Sequence, residues 1–301
     1  MRAVLITEPG DPEVLQVANV EELRPGPDDV LVEVRATALN RADLIQRRGH
    51  YPAPAGVRAD VPGLEMAGVV VVVGERVAGL GVGDRVFGLL GGGGYAEKVV
   101  TPAGMVMTIP ESLSFVEAAA VPEVFFTAYD ALFNQGGLVM GEAALIHATG
   151  SGVGTAALQL ARHAGATTFG TAGSPEKLVR AAEIGLEYGI NYRSEDFLAV
   201  TRERTGGRGV DVILDLVGAP YWERNLAAMA VLGRLILVGA MGGSDVSFRM
   251  SDLMGKRLRV FGTALRVRRL EEKMALTRQI EKHVLPLLAT GRLKPVVDRV
   301  Y

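Results

Sequence analysis

One segment, ALIHATGSGVG at residues 144–154, constrains the fold more than any other part of the chain. An aliphatic run leads into a turn of small residues, and the following sequence TAALQLARHA has the pattern of a helix. A strand, a tight turn and a helix in this order are typical of the first βα unit of a doubly wound α/β domain, where the turn binds the pyrophosphate of a dinucleotide. We therefore predict a parallel sheet around this segment.

The turn itself suggests which residues contact the cofactor. Small residues let the backbone approach a pyrophosphate, and the amides at the start of the helix point toward it. The spacing departs from G-x-G-x-x-G because Thr155 occupies the sixth position, whereas a pattern of small residues ending at Gly154 fits better. An ordinary tight turn of an α/β domain is the alternative. The expected contact residues are Ala148, Ser151, Gly152 and Val153.

The end of the next predicted strand bears on which dinucleotide is bound. In NAD-binding proteins an Asp or Glu about 20 residues further on binds the ribose 2′-hydroxyl, but here the strand ends in Thr-Ala-Gly-Ser without a carboxylate. Hydrogen-bond donors and cations attract a 2′-phosphate. This favours NADPH over NADH, although a solvated helix face explains the two cations nearly as well. The residues expected at this phosphate are Gly173, Ser174, Lys177, Arg180 and Tyr192.

The pattern of strands and helices divides the chain into regions. Residues 1–120 contain short β-rich runs separated by Pro, Gly and Asp turns, which indicates an antiparallel, partly open β-barrel. Residues 121–263 alternate aliphatic strands with helices, which predicts a doubly wound parallel sheet of the Rossmann type. Residues 264–301 are expected to return toward the first domain. The predicted fold class is therefore α/β with two domains.

Individual elements can be placed within these regions. A helix is expected near Arg41 to Arg48, and another from Ser174 to Ile184, because Ser caps free amides and Pro175 suits the first helical turn. The charged, periodic segment Arg266 to Ala289 predicts a further helix, interrupted at Pro286. Five parallel strands are expected: Ala144 to Ala148, Thr167 to Thr171, Val210 to Asp215, Arg234 to Gly239 and Leu258 to Thr263.

Charge and cysteine content exclude several functional classes. The chain has 32 Lys and Arg against 34 Asp and Glu, so neither a nucleic acid nor an anionic membrane surface is an expected partner. It has no Cys, which excludes disulfides, thiolate metal sites and a cysteine nucleophile. The first residues lack the apolar stretch of a secretory signal, and the longest aliphatic run is far shorter than a membrane helix. We expect a cytoplasmic protein.

The order of parts and several motifs resemble the medium-chain dehydrogenase/reductase superfamily. Within it the chain is similar to the zinc-free NADPH:quinone oxidoreductases, and the p53-inducible type is the nearest. The motifs are ALNRADL, PGLEMAG, GDRV, AAAVPEVFFTAY, LIHATGSGVGTAALQLAR, GINY, YWERN and LGRLILVG. The resemblance implies a GroES-like catalytic domain, a Rossmann domain for NADPH, and a homodimer formed at the edge strand near Leu258 to Phe261. Family members continue beyond DRVY, so we expect a further helix and strand after this point.

The resemblance also implies that zinc is not used. Asn40 stands where the family's zinc alcohol dehydrogenases have a Cys ligand, and Leu64 stands where they have a His ligand. The four-cysteine lobe of the structural zinc site is missing, and the four histidines lie far apart in the sequence. We expect no metal. Without a Lewis acid the acceptor must already be electron-poor, as quinones and activated enals are.

Residues at the acceptor follow from the same resemblance. Tyr51 in GHYPAP corresponds to the family tyrosine that lines the acceptor site, and packing against the neighbouring prolines is its alternative role. Asn40 and Asp43 are implied at the floor of the site, and Glu123 and Thr127 beside the nicotinamide. Asp43 as a helix cap and Glu123 as an ordinary helix-start carboxylate remain alternatives. Along the cofactor the resemblance places Gly239, Ala240, Met241, Gly262, Thr263 and Ala264.

Three functions are compatible with these residues. The first is an NADPH-dependent quinone reductase that transfers a hydride without metal. The second is a reductase of activated double bonds such as those of alkenals, and the third is an NADPH-binding protein with little turnover. The sequence favours the first, with a small electron-poor molecule as the partner.

Overall fold

The computed structural model describes the whole chain, Met1–Tyr301, in two compact units. The first unit contains Met1–Phe126 and Leu265–Tyr301, and the second contains Thr127–Ala264. The C-terminal segment therefore packs with the N-terminal part of the chain.

Seven strands and three helices occupy the N-terminal part. The strands are β1 (Arg2–Ile6), β2 (Leu15–Asn19), β3 (Asp29–Ala36), β4 (Glu65–Val73), β5 (Arg85–Leu89), β6 (Lys98–Pro102) and β7 (Val106–Thr108). The helices are α1 (Arg41–Arg47), α2 (Phe115–Ala119) and α3 (Pro122–Tyr129).

The first unit is built on an antiparallel sheet of five strands in the order β6-β3-β4-β5-β7. β1 and β2 form a separate antiparallel pair, which an isolated bridge between Ala3 and Ala96 connects to the rest of the unit. Val30 and Val32 of β3 and Met66 and Val70 of β4 belong to the core of this sheet. The antiparallel β-domain predicted from the sequence is confirmed.

The remaining elements follow in chain order. The strands of the second unit are β8 (Ala143–Ile146), β9 (Thr167–Ala172), β10 (Tyr188–Asn191), β11 (Val210–Asp215), β12 (Met229–Leu237) and β13 (Arg259–Gly262). Its helices are α4 (Gly152–His163), α5 (Pro175–Glu183), α6 (Phe197–Arg204), α7 (Trp222–Ala228) and α8 (Met250–Met254). The C-terminal helices are α9 (Leu270–His283) and α10 (Leu285–Ala289).

The second unit has one parallel sheet of six strands in the order β10-β9-β8-β11-β12-β13. Every residue of β8 and β11 is buried, because helices cover both faces of such a sheet. The chain order reverses between β8 and β11, and in doubly wound sheets ligands bind beyond the carboxyl ends of strands at this point. The predicted parallel sheet is confirmed. No helix of the chain is long and apolar enough to span a bilayer.

Three elements of the structure differ from the sequence prediction. The short strand β10 was not among the five predicted strands, since its four residues include a glycine and carry little strand signal. β12 begins at Met229 rather than at Arg234. Residues 266–269 are not helical, and α9 begins only at Leu270. The predicted interruption at Pro286 is confirmed, because this proline lies in the first turn of α10.

Candidate active site

The turn between β8 and α4 has the close backbone packing that the sequence predicts. Ser151 caps α4, and its Oγ accepts a hydrogen bond from the amide of Gly154 at 3.0 Å. A Cβ atom on Gly154 would come within 2.4 Å of the carbonyl oxygen of Ala148, so only glycine fits there. Ala148 itself has a φ of 53°, a conformation that non-glycine residues rarely adopt outside functional sites.

The first amides of α4 are free to bind an anion. The backbone amides of Gly152 and Val153 make no hydrogen bond in the structure. They lie at the positive end of a helix of 12 residues that has no acidic residue in its first turn. Free amides at a helix N-terminus beside a switch in strand order fit the pyrophosphate of a dinucleotide.

The end of β9 brings together the residues predicted to hold a 2′-phosphate. A Cβ atom on Gly173 would lie 2.4 Å from the hydroxyl oxygen of Tyr192, and one on Gly150 would lie 2.9 Å from the side chain of Lys177. Ser174 caps α5, with its Oγ 3.5 Å from the amide of Lys177. Lys177 is exposed and forms no ion pair, so its ammonium group is available to a phosphate.

One carboxylate lies near this cluster. Glu176 lies in the first turn of α5, and hydrogen bonds from its own amide and from the Ser174 hydroxyl lower the pKa of its carboxyl. It is therefore charged at neutral pH. A negative charge here opposes a 2′-phosphate, whereas Lys177 and Arg180 attract one.

The loops after β11 and β12 are joined to each other. The carboxylate of Asp215 accepts hydrogen bonds from the amides of Val217 at 2.7 Å and Gly218 at 3.2 Å. The amide of Met241 donates a hydrogen bond to the carbonyl of Leu216 at 3.1 Å. Gly218 has a positive φ of 86°, and a Cβ atom at this position would clash with the carbonyl oxygen of Gly243. The predicted residues Gly239, Ala240 and Met241 thus lie on a fixed loop at the carboxyl edge of the sheet.

The residues predicted at the end of β13 differ in their surroundings. A Cβ atom on Gly262 would meet nothing within 4 Å, so the backbone faces open space that a ligand can occupy. Thr263 is already engaged, because its hydroxyl donates to the buried carboxylate of Asp130 at 3.0 Å. Ala264 is exposed.

A buried polar chain ties together the strand ends beneath the cofactor residues. The His147 ring lies 3.0 Å from the Thr171 hydroxyl through Nδ1 and 2.8 Å from the Asn225 side chain through Nε2. Asn225 in turn donates to Asp215 at 3.0 Å. Burial lowers the pKa of His147 to about 4, so the ring is neutral and packs in the core. The sequence does not predict this hydrogen-bonded network because its residues are far apart along the polypeptide.

In the first unit, Asp43 acts as a helix cap. Its Oδ2 accepts hydrogen bonds from the amide of Asn40 at 2.8 Å and from the Tyr95 hydroxyl at 2.9 Å, and its Oδ1 accepts one from the amide of Gly63 at 3.2 Å. Burial raises the pKa of Asp43. All its strong acceptor positions are used internally, so the capping role considered in the sequence describes it well.

Glu65 connects the starts of α1 and α3. Its Oε1 accepts a hydrogen bond of 2.6 Å from the Asn40 side-chain amide, and its Oε2 accepts one of 2.8 Å from the backbone amide of Glu123. The side chain is 1% exposed, and burial raises its pKa to about 8. Glu65 was not predicted as a site residue, although a carboxylate at the start of an aliphatic strand is an unusual feature.

Arg266 holds Tyr51 and the loops around it. Its guanidinium carbon lies 4.6 Å from the centroid of the Tyr51 ring, and its nitrogens donate to the carbonyls of Tyr51 at 2.9 Å and Gly91 at 3.1 Å and to the Gln46 side chain at 2.8 Å. The Tyr51 hydroxyl makes no hydrogen bond and remains free for a ligand. Burial, reinforced by the charge of Glu123, raises the pKa of Tyr51.

Glu123 differs from the other buried carboxyls because its side chain makes no hydrogen bond or ion pair. It is half-buried in the first turn of α3. Burial raises its pKa to about 7, the charge of Asp43 acts in the same direction, and Arg266 and Lys273 act against it. Thr127, on the same helix, belongs to the second unit and has a buried side chain.

The positions of the former zinc ligands have other contacts. Asn40 bonds to Glu65, and Leu64 is 2% exposed in the core. The structure contains no group of three or more His, Asp or Glu residues arranged to hold a metal ion.

Comparison with known proteins places the chain in a family. Residues 152–280 match the family described as zinc-binding dehydrogenase, and residues 26–111 match the alcohol dehydrogenase GroES-like domain. A quinone oxidoreductase of Homo sapiens is 31% identical over 303 residues, which cover 100% of this chain and 90% of that protein. The chain belongs to the medium-chain dehydrogenase/reductase superfamily, in the family that contains this quinone oxidoreductase. The predicted resemblance and fold class are thereby confirmed.

Solved structures agree with this assignment. An NAD-dependent alcohol dehydrogenase superposes with a TM-score of 0.88 at 34% identity, covering 98% of this chain and 91% of that one. Escherichia coli quinone oxidoreductase in complex with NADPH gives 0.86 at 30% identity, covering 99% and 90%. The CurK enoyl reductase gives 0.86 at 30% identity, covering 100% and 91%. The protein is thus an oxidoreductase of an NAD(P)-dependent family.

Proposed function

We propose that the protein is an NADPH-dependent quinone reductase that works without a metal ion. The observation that carries this proposal is the set of groups around Tyr51 in the first unit. A free phenol, a buried guanidinium and a protonatable carboxyl lie together there, and such groups bind and protonate an oxygen rather than polarise an alcohol. The similarity to two quinone oxidoreductases, human and bacterial, supports the choice of acceptor.

The second unit supplies the cofactor site in this proposal. The free amides of α4 bind the pyrophosphate, and the free cation of Lys177, with Ser174 and Tyr192, binds the 2′-phosphate. The proposed cofactor contacts remain those predicted from the sequence, namely Ala148, Ser151, Gly152, Val153, Gly173, Ser174, Lys177, Tyr192, Gly239, Ala240, Met241, Gly262, Thr263 and Ala264. When bound, NADPH supplies the hydride.

Each acceptor-site residue has a proposed role. The Tyr51 hydroxyl donates a hydrogen bond to the acceptor oxygen, and Arg266 fixes the Tyr51 ring beneath its guanidinium. Asp43 and Asn40 are positioning residues, since Asp43 caps α1 and Asn40 bonds to Glu65. Thr127 contacts the nicotinamide. Without a Lewis acid these residues orient an acceptor that is already electron-poor, and the rate gain comes from geometry and hydrogen bonding.

Reduction of activated double bonds is the second candidate function. The observation in its favour is the similarity to the CurK enoyl reductase over the whole chain. The same hydride donor and the same proton-donating groups serve both reactions, so the acceptor decides between them. An NADPH-binding protein with little turnover remains the third candidate.

A panel of acceptors with product analysis tests this proposal. Purified protein is mixed with NADPH and either an ortho-quinone or an alkenal, and NADPH oxidation is followed by absorbance while the products are separated. We expect rapid oxidation with the quinone and formation of its reduced product. A saturated aldehyde formed faster than any quinone product would replace the proposal with the second candidate, and NADPH binding without oxidation would replace it with the third.

The dimer and the domain limits also belong to this proposal. β13 is at the edge of the parallel sheet, where its unpaired backbone can continue the sheet of a second copy. Exposed apolar side chains lie on the segment before it, among them Met250 at 79% and Met254 at 73% exposure. We propose residues 1–120 as the catalytic domain, 121–263 as the NADPH domain, and 264–301 as a segment that returns toward the catalytic domain.

A further inference from the structure

We propose that Glu123 is the proton donor to the reduced acceptor. This assignment rests on the proposed function and adds a role in its acceptor site, since the family resemblance implies for Glu123 only a place beside the nicotinamide, with an ordinary helix-start carboxylate as the alternative. It is argued from the cluster of charged groups in the first unit. The groups that act on Glu123 come from several elements: Asp43 of α1, Tyr51 of the following loop, Glu65 of β4, Arg266 of the segment before α9, and Lys273 of α9.

The three carboxyls of this cluster are bonded very differently. Asp43 accepts three hydrogen bonds and Glu65 accepts two, so both are fixed in place. The Glu123 carboxyl accepts none, although it is half-buried. A carboxyl without a protein partner keeps its oxygens available to a ligand or to water. Among the three carboxyls of this cluster, Glu123 is therefore the one whose oxygens the fold does not use.

The backbone of Glu123 is fixed although its carboxyl is free. Its amide donates to Glu65 at 2.8 Å, and Pro122 begins the helix with a restricted φ. A donor must be within hydrogen-bond reach of the atom that it protonates, and a rigid backbone with a free side chain meets this need. Partial exposure also gives the carboxyl access to water for its reprotonation.

Glu123 is a better acid at neutral pH than Tyr51. A general acid works best when its pKa is near the working pH. The pKa of Glu123 is raised to about 7, whereas the pKa of Tyr51 is raised further above its ordinary value of about 10. The Glu123 carboxyl can therefore release and regain its proton near neutral pH, while Tyr51 is fitted to donate a hydrogen bond but not its proton.

The proposed step is balanced as follows. The hydride from the nicotinamide brings both electrons to the acceptor and leaves the cofactor oxidised. The O–H bond of the Glu123 carboxyl breaks as an O–H bond forms on the acceptor oxygen, which leaves a Glu123 carboxylate. Water returns the proton after the reduced product has left.

Three variants test this role. Glu123→Gln keeps the shape and cannot donate the proton, Glu123→Asp keeps a carboxyl, and Glu111→Gln removes an exposed carboxylate as the matched control. We expect single-turnover NADPH oxidation with an ortho-quinone to fall about 100-fold in Glu123→Gln, with partial rescue in Glu123→Asp and no change in Glu111→Gln. The wild-type rate should fall as pH rises through about 7, because the carboxyl loses its proton there, and this dependence should vanish in Glu123→Gln.

A second measurement does not depend on turnover. In cofactor-free protein labelled with ¹³C at the Glu carboxyls, NMR should show a carboxyl that titrates near pH 7 and is missing in Glu123→Gln. The role of Glu123 alone would be overturned if the Glu123→Gln variant had the same rate and pH profile as the wild type. It would also be overturned if the Glu123 carboxyl titrated in the ordinary range of a Glu. If the wild-type protein fails to oxidise NADPH with every acceptor tested, the proposed function is overturned, and this role with it.

Discussion

The side-chain amide of Asn40 donates a hydrogen bond of 2.6 Å to the buried carboxyl of Glu65. The other oxygen of Glu65 holds the backbone of Glu123 at 2.8 Å. A buried carboxyl thus joins the two helix starts that carry acceptor-site residues. The positions of those residues depend on these two hydrogen bonds, which makes Glu65 a positioning residue.

We predict that Glu65 makes the protein less stable as pH rises. Its pKa is raised by burial from 4.5 to about 8, so the folded protein keeps a proton that the unfolded chain releases. The resulting stability is fully present below pH 4.5 and is lost as pH rises through about 8, by a few kcal/mol. Urea unfolding of the wild type at several pH values above 6.5, where His147 no longer titrates, measures this loss.

The variant Glu65→Gln separates this effect from the other groups. One of the two donors that bond to Glu65 then faces an amide nitrogen, so we expect a loss of about 1–3 kcal/mol at pH 7. The stability of Glu65→Gln should depend less on pH than that of the wild type or of Glu111→Gln. Equal pH dependence in all three proteins would show that Glu65 is not the titrating group.

Tyr51→Phe should reduce quinone turnover by about tenfold, while leaving NADPH binding unchanged. The substitution removes a free hydroxyl and keeps the ring beneath Arg266, so the fold has no reason to change. One hydrogen bond to a developing charge is worth about 1.5 kcal/mol, which corresponds to this factor. Steady-state kinetics and NADPH titration by fluorescence measure the two quantities. An unchanged kcat would mean that Tyr51 only packs against its neighbouring prolines.

Substitutions of Lys177 and of Glu176 should shift the preference between NADPH and NADH in opposite directions. Lys177→Ala removes the free ammonium and should weaken NADPH binding about tenfold, with little effect on NADH. Glu176→Gln removes the opposing carboxylate and should strengthen NADPH binding a few-fold. Isothermal titration with both cofactors, with the exposed Lys282→Ala as control, checks this. Equal losses for NADH and NADPH in Lys177→Ala would place the 2′-phosphate elsewhere.

Chelators should not affect the activity. The residues at the family's zinc positions are Asn40 and Leu64, which bond and pack inside the protein. Quinone-dependent NADPH oxidation should therefore be the same after dialysis against a strong chelator, and addition of zinc should not raise it. Elemental analysis of the purified protein accompanies the assay. A rate that falls on dialysis and returns with zinc would contradict the metal-free mechanism.

The protein should be a dimer at micromolar concentration. Multi-angle light scattering gives the mass directly, and a charged substitution in the exposed apolar segment before the edge strand, Met254→Lys, should shift the equilibrium toward the monomer. Exclusive monomer in the wild type would reject this proposal without affecting the assignment of the cofactor site.

Local sequence patterns were enough for the parallel sheet and the phosphate turn. The strand, the turn of small residues ending at Gly154 and the following helix are contiguous in the chain, so their order can be predicted without tertiary contacts. Glu65 and Arg266 could not be found in this way. Arg266 contacts Gln46 and Tyr51, which are more than 200 positions away in the chain, and its segment was predicted as a helix.

The pKa values of the acids also depend on the tertiary structure. Asp43 and Glu123 have ordinary helix-start sequences, and nothing local to Glu123 shows that its carboxyl is unpaired and half-buried. Their shifts arise from burial and from charges on distant segments, which only the folded protein brings together.

The decisive measurement compares NADPH with NADH in the reduction of an ortho-quinone by the purified protein. We predict rapid oxidation of NADPH and a kcat/KM at least about tenfold lower with NADH, since NADH lacks the phosphate that Lys177 is proposed to bind. Equal or faster oxidation of NADH would contradict the proposed cofactor. No oxidation of either cofactor would contradict the proposed reaction.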